Sequence, residues 1–371
     1  MKTATLFCSP SPKAICLLLL VGLFIGTAQA GNIKVVASTV PSNGDVNPYG
    51  IVVVPVTMGS LTAGNILISN FNNSANLQGT GTTIVQITPS GTLSLFAQID
   101  AANLPGPCPG GVGLTTALVA LRSGWVVVGS LPTTDGTSAT ANAGCLLVLD
   151  SKGNVAETFY GSLINGPWDM TASDNGSTAS LFFTNVLNGT VAGGGNVVHG
   201  GTVVRMDLNI PKGSQPSIQS MTVIGSGFAE RTDPAALVIG PTGVYLGAGG
   251  DRGDDNRQVL YVADSLNNRI ASISKAMTRT TSGGTGNTVT KGGSLNDPLG
   301  LTVLPNGNIV TVNGNDGFAV ETTPSGHQIA KALLDSSGNP PGAGALFGLV
   351  PVTGMGLFYV DDATNTLNLF H

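Results

Sequence analysis

Short apolar runs of four to seven residues recur along most of the chain, and polar turn residues separate them. The clearest case is 258–274, in which Val259 to Ala263 is rich in β-branched and aromatic side chains and is closed by Asp264. This composition favours a strand. The Asn-Asn pair before Arg269 tolerates the left-handed conformation of a tight turn, and Arg269 begins a return strand. The pattern predicts one hairpin of a repeated unit.

The same strand-turn-strand pattern is found elsewhere in the chain. From Asp297 to Asn313 an apolar run, a Pro-Asn-Gly turn and a second apolar run follow one another. The turn Thr-Pro-Ser-Gly begins at both Thr88 and Thr323, each time before a further strand. Units of about four short strands are the sequence signature of β-propeller blades. We therefore expect an all-β, six-bladed propeller as a single domain over residues 31–371, with blades that begin near Pro48, Thr115, Pro167, Pro234, Pro298 and Leu346.

The two ends of this domain complement each other. The last unit, Leu346 to Phe370, supplies only three strands, whereas Gly31 to Val40 forms an extra strand ahead of the first unit. We expect the extra strand to complete the last blade, because closure of the ring removes an exposed sheet edge. The polar residues that close the second strand of the other units, as Asp264 does in the fourth, are Asn70, Ser130, Asn185, Asn313 and Asp361.

Two segments resemble a known repeat family. Leu260 to Ile270 resembles the core of the NHL repeat, and Asp297 to Gly300 with Asn306 to Ile309 resembles its opening half. The match is good in the fourth and fifth units, fair in the sixth and weak in the first three. The resemblance implies a six-bladed propeller of the NHL and TolB-like type. It implies little about activity, since that family includes protein-binding, RNA-binding and enzymatic members.

Residues 1–30 have the features of a secretory signal peptide. Lys2 and Lys13 precede an apolar run from Ala14 to Gly26, and Ala28-Gln29-Ala30 is a small-x-small cleavage site. No later segment approaches the roughly 20 apolar residues of a membrane span. A lipid anchor lacks its acceptor, because the residue directly after the cleavage site is Gly31 and not a cysteine. We expect an exported protein, secreted or periplasmic.

The charge balance limits the choice of partner. Without the leader, 13 of the 15 Lys and Arg residues remain against 20 acidic residues, a net charge of about −7. No basic stripe is present to neutralise phosphates, so nucleic acid is excluded as a partner. We expect a monomer.

Two cysteines follow the leader, Cys108 and Cys145. In an oxidising compartment they favour one disulfide over two free thiols, although sequence alone does not show that the Cα atoms approach closely enough. No histidine lies near either of them, so a zinc site is not indicated.

The first strand of every blade lines the channel of a propeller, where crowding favours small side chains. Two residues after each predicted blade start, five positions are small and one, Asp169, is a carboxylate; the six are Gly50, Ala117, Asp169, Ala236, Gly300 and Gly348. A charge in a narrow channel must be hydrated, paired or bound to a cation. The alternative is that Asp169 accepts hydrogen bonds from nearby backbone amides, as most buried polar groups do.

Further oxygen donors precede these first strands: Asn47, Asn165, Asp233 and Asp297. Each stands before Pro or Gly-Pro, where Asn and Asp are also ordinary turn residues. Together with Asp169 they form a candidate calcium site, because calcium takes oxygen ligands from several elements. Similarity to six-bladed lactonases and phosphotriesterases, which hold calcium there, implies the same site. The chain departs from that pattern, since it lacks a clear Glu at the first blade and a histidine there.

Other catalytic signals are weak. His199 and His327 lie in turn sequences, and no G-x-S-x-G elbow is present. The segment 247–257 is an expected insertion whose role the sequence leaves open; its Arg252-Gly253-Asp254 matches the integrin-binding tripeptide, but coincidence is the better explanation of so short a motif.

The sequence favours a binding module for a protein or glycan partner, acting through the face that carries the Asp264-type turns. The alternative is a calcium-dependent hydrolase or lactonase of the gluconolactonase and strictosidine synthase type. A lyase similar to the virginiamycin-inactivating propellers is a third candidate, which needs a catalytic histidine. A channel capped by apolar side chains favours the binding function, and a metal in the channel favours the enzyme.

Overall fold

A computed structural model describes residues 31–234, 236–247 and 258–371. The described residues form six antiparallel sheets, each with its strands in sequence order except where the first strand joins the last sheet. This is the six-bladed β-propeller that the repeat predicts. The leader 1–30 and most of the 247–257 insertion, with its Arg-Gly-Asp tripeptide, lie outside the described residues.

Within the described residues, the third blade has five strands and each of the other blades has four. Blades 1 to 3 contain β2 Val46–Val53, β3 Ile66–Asn72, β4 Thr83–Ile87 and β5 Leu93–Gln98; β6 Leu114–Ala120, β7 Val126–Ser130, β8 Leu146–Leu149 and β9 Val155–Phe159; and β10 Pro167–Asp174, β11 Thr178–Asn185, β12 Val198–Asn209, β13 Ser217–Asp233 and β14 Leu237–Ile239. Blades 4 to 6 contain β15 Pro241–Gly247, β16 Val259–Asp264, β17 Arg269–Ser274 and β18 Asn287–Lys291; β19 Pro298–Val303, β20 Ile309–Asn313, β21 Phe318–Thr322 and β22 Gln328–Leu333; and β23 Leu346–Val352, β24 Gly356–Asp361, β25 Thr366–Phe370 and β1 Ile33–Ser38.

The N-terminal strand closes the ring as expected. β1 pairs antiparallel with β25, from Ile33 opposite Phe370 to Ser38 opposite Thr366. Asn32 and His371 also exchange two backbone hydrogen bonds of 2.9 and 3.1 Å. The last blade therefore takes three strands from the C-terminal end of the domain and one from its N-terminal end.

The strand register agrees with the repeat alignment except at the start of the fourth blade. The residue that opens each blade lies opposite the polar residue that closes its second strand; the six pairs are Pro48 with Asn70, Leu114 with Ser130, Pro167 with Asn185, Pro241 with Asp264, Pro298 with Asn313, and Leu346 with Asp361. All six innermost strands then carry a register shift. The end of the propeller with these residues is called the upper face, and the opposite end is the lower face.

One predicted blade start is wrong. Pro234 does not open the fourth blade, which begins at Pro241. The segment around Pro234 instead turns the long strand β13 back into β14, where Arg231 pairs with Ile239 and Asp233 with Leu237. The sequence Asp-Pro occurs both in this segment and at the true start Asp297-Pro298, so the turn signal alone does not separate them. The described residues of 231–239 are called the cap.

Apolar side chains from the facing sheets fill the spaces between blades. Cys108 and Cys145 form a disulfide with their Cα atoms 5.0 Å apart, within the cluster between blades 1 and 2. Among the described residues, no helix has the length and hydropathy needed to span a membrane.

Candidate functional site

Aromatic side chains close the channel just inside the upper face. Tyr49 stacks on Phe71 at 4.5 Å and on Phe347 at 3.8 Å between ring centroids, and Phe347 lies 6.2 Å from Trp168. These rings and Leu299 are all nearly inaccessible to solvent. Trp168 and Phe347 come from blades 3 and 6, which face each other across the axis. These five residues, called the plug, therefore fill the channel with an apolar core.

The cap lies over the plug. Leu237, Val238 and Ile239 are buried in the same apolar cluster as the plug residues. Leu237 has a φ of 61°, which is rare for a residue with a Cβ and is tolerated only where the surrounding structure fixes it. At the tip of the cap, the Gln78 amide of blade 1 donates to the Pro234 carbonyl at 3.5 Å. The cap thus reaches from blade 3 to blade 1 across the upper face.

A cavity of about 410 Å³ lies between the cap and blades 4 to 6. We call it the upper cavity. The plug residues Leu299 and Phe347 form part of its wall. Its polar lining residues are Arg231, Asp233, Ser265, Asn268, Asn296, Asp297, Asn315 and Asn339. The cavity therefore combines an apolar wall with a dense set of amides and charges.

Asp297 is the most perturbed carboxyl of the upper cavity. Its backbone is in the left-handed region at φ 57°, and its amide donates a 2.6 Å hydrogen bond to the Asn268 side chain. Burial, and next the charge of Asp233, raise the pKa of Asp297 to about 6, while Arg231 acts in the opposite direction. One carboxyl oxygen of Asp297 is buried without a hydrogen-bond partner.

Asp233 reaches the upper cavity from the cap. Its carboxylate forms an ion pair with Arg231 at 2.9 Å, and both side chains keep some exposure, 17% for Asp233 and 33% for Arg231. Such a pair contributes little to stability. It places a second carboxyl group beside Asp297, whose own pKa is raised. An ionised carboxyl group accepts hydrogen bonds, and a protonated one can also donate.

Asp169 occupies a different cavity. This lower cavity, also about 410 Å³, is lined by the innermost strands below the plug and shares no lining residue with the upper one. The Val244 amide of blade 4 donates a 2.8 Å hydrogen bond to the Asp169 carboxylate. Burial raises the pKa of Asp169 to about 7, against the opposing effect of the Val244 and Met170 amides. The predicted alternative, a hydrogen bond to a backbone amide, is thus present.

One residue was wrongly predicted in the ring of small residues around Asp169. Gly50, Ala117, Gly300 and Gly348 occupy the predicted positions at the register shift, but the fourth blade contributes Gly243 and not Ala236. A Cβ on Gly300 would lie 1.8 Å from the Phe347 carbonyl oxygen of the next blade. The close approach of the strands explains why the ring tolerates so few side chains.

The five predicted calcium ligands do not converge. Asp233 and Asp297 meet in the upper cavity, Asp169 lies below the plug, and neither cavity includes Asn47 or Asn165. The Asn165 amide is engaged by the Leu187 carbonyl at 3.2 Å and the Asn188 side chain at 2.8 Å. In the described part of the chain, no group of three or more His, Cys, Asp or Glu side chains is arranged to hold a metal ion. The unpartnered oxygen of Asp297 would suit a cation, but the set as a whole does not fit one calcium ion, and we derive no reaction step through it.

Asp264 and its equivalents stabilise the fold. Asp264 is fully buried and forms an ion pair with Arg269 at 2.8 Å. Asn185 and Asn313 accept hydrogen bonds from the amides of Asn165 and Asn296, which fixes the loops that lead into the blades. These side chains are therefore not free to contact a partner.

The predicted histidines lie away from both cavities. His199 and His327 are exposed, the latter in the turn between β21 and β22 on the lower face.

Sequence reasoning also missed residues that shape the site. The plug was detectable, because Tyr49, Trp168 and Phe347 each stand one position before the ring of small residues. Arg231 and the cap had no such signal, since only the folded hairpin brings them over the channel.

No protein-family model matches the chain, and a search of curated proteins finds no match. Solved structures do match. A gluconolactonase from Xanthomonas campestris is 11% identical and has a TM-score of 0.53, with 92% of this chain and 90% of that chain covered. Virginiamycin B lyase from Staphylococcus aureus is 14% identical at a TM-score of 0.52, with 92% and 99% covered. Regucalcin from Agrobacterium tumefaciens, described as a calcium-binding protein, is 12% identical at a TM-score of 0.52, with 90% and 93% covered. At these identities the likeness shows the propeller fold alone.

Proposed function

We propose that the protein is an exported propeller of the NHL and TolB-like type that binds a glycan in the upper cavity. The observation that carries this proposal is the combination, in one cavity of about 410 Å³, of an apolar wall with closely spaced amide, carboxyl and guanidinium groups. Binding sites for small molecules are typically concave and apolar with a few fixed polar groups. Export rests on the leader pattern of residues 1–30.

The polar groups suit a polyhydroxylated ligand. A sugar hydroxyl both donates and accepts, so it pairs well with carboxyl oxygens and with side-chain amides, which offer both functions. Asn268, Asn296 and Asn315 supply amides, and Asp297 supplies a buried oxygen that lacks a partner. The C–H face of a sugar ring would contact Leu299 and Phe347. A protein partner would need a larger exposed surface than this cavity presents.

The plug and the cap support a binding function over a reaction within the channel. Together they fill the upper end of the axis with apolar side chains, so a ligand that approaches this face meets the cavity beside the axis. A channel capped by apolar side chains is the arrangement that, from the sequence, favours a binding module over an enzyme.

The proposal is tested with a glycan array, followed by calorimetry with the glycan that binds best. Asp297→Asn keeps the shape of the side chain but changes its hydrogen bonding, and we expect it to weaken binding about tenfold or more. The same change at the exposed Asp100, outside the cavity, is the matched control and should leave affinity unchanged. Absence of any bound glycan, or equal affinity of wild type and Asp297→Asn, contradicts the proposal.

A hydrolase is the second candidate, and the Asp233–Asp297 pair favours it. Two neighbouring carboxyl groups, one of which (Asp297) has a raised pKa, are elements of general acid-base catalysis. The assay is hydrolysis of simple sugar lactones with and without added calcium. Turnover that Asp297→Asn removes, while Asp100→Asn preserves it, would favour the hydrolase over the binding module.

A further inference from the structure

The lower cavity contains one negative charge that the proposed function does not use. Its wall consists mainly of Val, Leu, Ile, Ala, Gly and Pro residues of the innermost strands, and none of its lining residues is Lys, Arg or His. Asp169 is its only acidic lining residue, and just 9% of its surface is exposed. A carboxylate in such surroundings is costly unless a cation or several hydrogen bonds compensate it.

The Asp169 carboxylate keeps acceptor capacity. An ionised carboxylate has about four acceptor positions, and the amides of Val244 and Met170 account for two of them. Burial raises the pKa of this group because no cationic side chain offsets the loss of water. The Asp169 carboxylate can therefore accept hydrogen bonds from one positively charged group.

A second polar group points to a ligand in the same cavity. Thr116 lines the lower cavity and is 4% exposed, and its hydroxyl oxygen is buried without a hydrogen-bond partner. Unpartnered buried hydroxyls are uncommon in folded proteins. Thr116 lies on blade 2 and Asp169 on blade 3, so both come from neighbouring innermost strands that line one cavity.

The wall of the cavity decides which cation fits. Calcium requires six to eight oxygen ligands, whereas this wall offers one carboxylate and few hydroxyls among apolar side chains. A primary ammonium group needs only three acceptors, and an attached hydrocarbon chain gains free energy by contact with apolar groups such as Leu118 and Val350. We propose that the lower cavity binds a small alkylammonium compound whose ammonium group contacts Asp169 and Thr116.

The test is calorimetric titration of the protein with n-butylammonium, n-hexylammonium and benzylammonium chloride. We expect saturable binding that strengthens from butyl to hexyl, because each methylene adds apolar contact. Hexanol and sodium hexanoate, which match the chain but lack the positive charge, should bind at least tenfold more weakly. No binding of any of the three ammonium compounds below about 10 mM overturns the proposal.

Two variants locate the site. Asp169→Asn retains an oxygen for the Val244 amide and should fold, but we expect it to weaken hexylammonium binding at least tenfold. Thr116→Val keeps the shape of the side chain and should weaken binding several-fold. Asp100→Asn is the matched control and should bind as wild type does. Unchanged affinity in Asp169→Asn, or hexylammonium located in the upper cavity of a crystal, overturns the proposal; so does calcium binding at Asp169 without ammonium binding.

Discussion

Trp168 on blade 3 and Phe347 on blade 6 meet across the propeller axis, with ring centroids 6.2 Å apart. These two opposite blades thus contact each other through the channel, in addition to their neighbours in the ring. Phe347 also stacks on Tyr49 of blade 1, so the plug joins three blades at one point.

Truncation of the plug should destabilise the whole ring. Phe347→Ala removes the ring that contacts Tyr49 and Trp168 and leaves a cavity in its place. We expect the free energy of unfolding to fall by roughly 3–5 kcal/mol. Urea unfolding monitored by tryptophan fluorescence measures the free energy of unfolding. Leu95→Ala, at a side chain that is 46% exposed, is the control and should change stability by less than about 1 kcal/mol. A Phe347→Ala effect no larger than the control would show that the plug does not join the blades.

Loss of the closing strand should open the ring. Deletion of residues 31–38 removes β1 and exposes the edge of β25, so we expect a lower melting temperature and self-association. Scanning calorimetry and light scattering measure the two effects. Val35→Thr, at an exposed position of the same strand, retains the pairing and should behave as wild type. A deletion without effect would identify these residues as dispensable.

Reduction of the disulfide should lower stability. The Cys108–Cys145 bond closes a loop across a sequence separation of 37 residues, and removal of such a crosslink costs roughly 2–4 kcal/mol. Urea unfolding with and without dithiothreitol measures this difference. The Cys108→Ser/Cys145→Ser double variant should match the reduced wild type and be insensitive to dithiothreitol. Equal stability of oxidised and reduced wild type contradicts the prediction.

Glu230 should make stability depend on pH. It is fully buried, accepts a 2.8 Å hydrogen bond from Thr190, and has one oxygen without a partner. Burial raises its pKa to about 7. Between pH 4.5 and 7 the folded state therefore keeps a proton that the unfolded state has lost, so stability falls as pH rises through this window.

Glu230→Gln tests this assignment, because glutamine cannot ionise. We expect the variant to lose part of the decline in unfolding free energy between pH 4.5 and 7, on the order of 2 kcal/mol. Asp169 and Asp362, whose pKa values are also raised, contribute the same sign in both proteins, so the difference between the two profiles isolates Glu230. Identical profiles would contradict the assignment.

Calcium binding remains a prediction that thermal stability can decide. If Asp297 and its neighbours hold calcium, added calcium should raise the melting temperature and a chelator should lower it. Asp297→Asn should abolish the shift, whereas Asp169→Asn, below the plug, should retain it. A melting temperature insensitive to both calcium and chelator excludes the site.

The architecture was accessible from the sequence because it depends on local patterns. Apolar runs, turn residues and the position of Asp264 define strands and their register without knowledge of distant contacts. Asp169 was recognisable for the same reason, since the alignment predicted a small residue there.

The candidate site was less accessible because it depends on contacts between distant blades. Asp233-Pro234 has the same local signal as Asp297-Pro298, yet only the latter opens a blade. The cap brings Asp233 beside Asp297 by folding over the plug, and the plug separates Asp169 from both. No spacing along the chain encodes either arrangement.

The pairing of Asn32 with His371 would allow the chain to begin in a different blade while the blades keep their order around the ring. Since these two residues exchange backbone hydrogen bonds, a short linker could join residue 371 to residue 31, and new termini could be placed in the exposed turn at Pro305-Asn306 on the lower face. Such a circular permutant would keep every blade, the plug and both cavities. It would also give the propeller uninterrupted covalent connection at the one blade that is now held closed by hydrogen bonds.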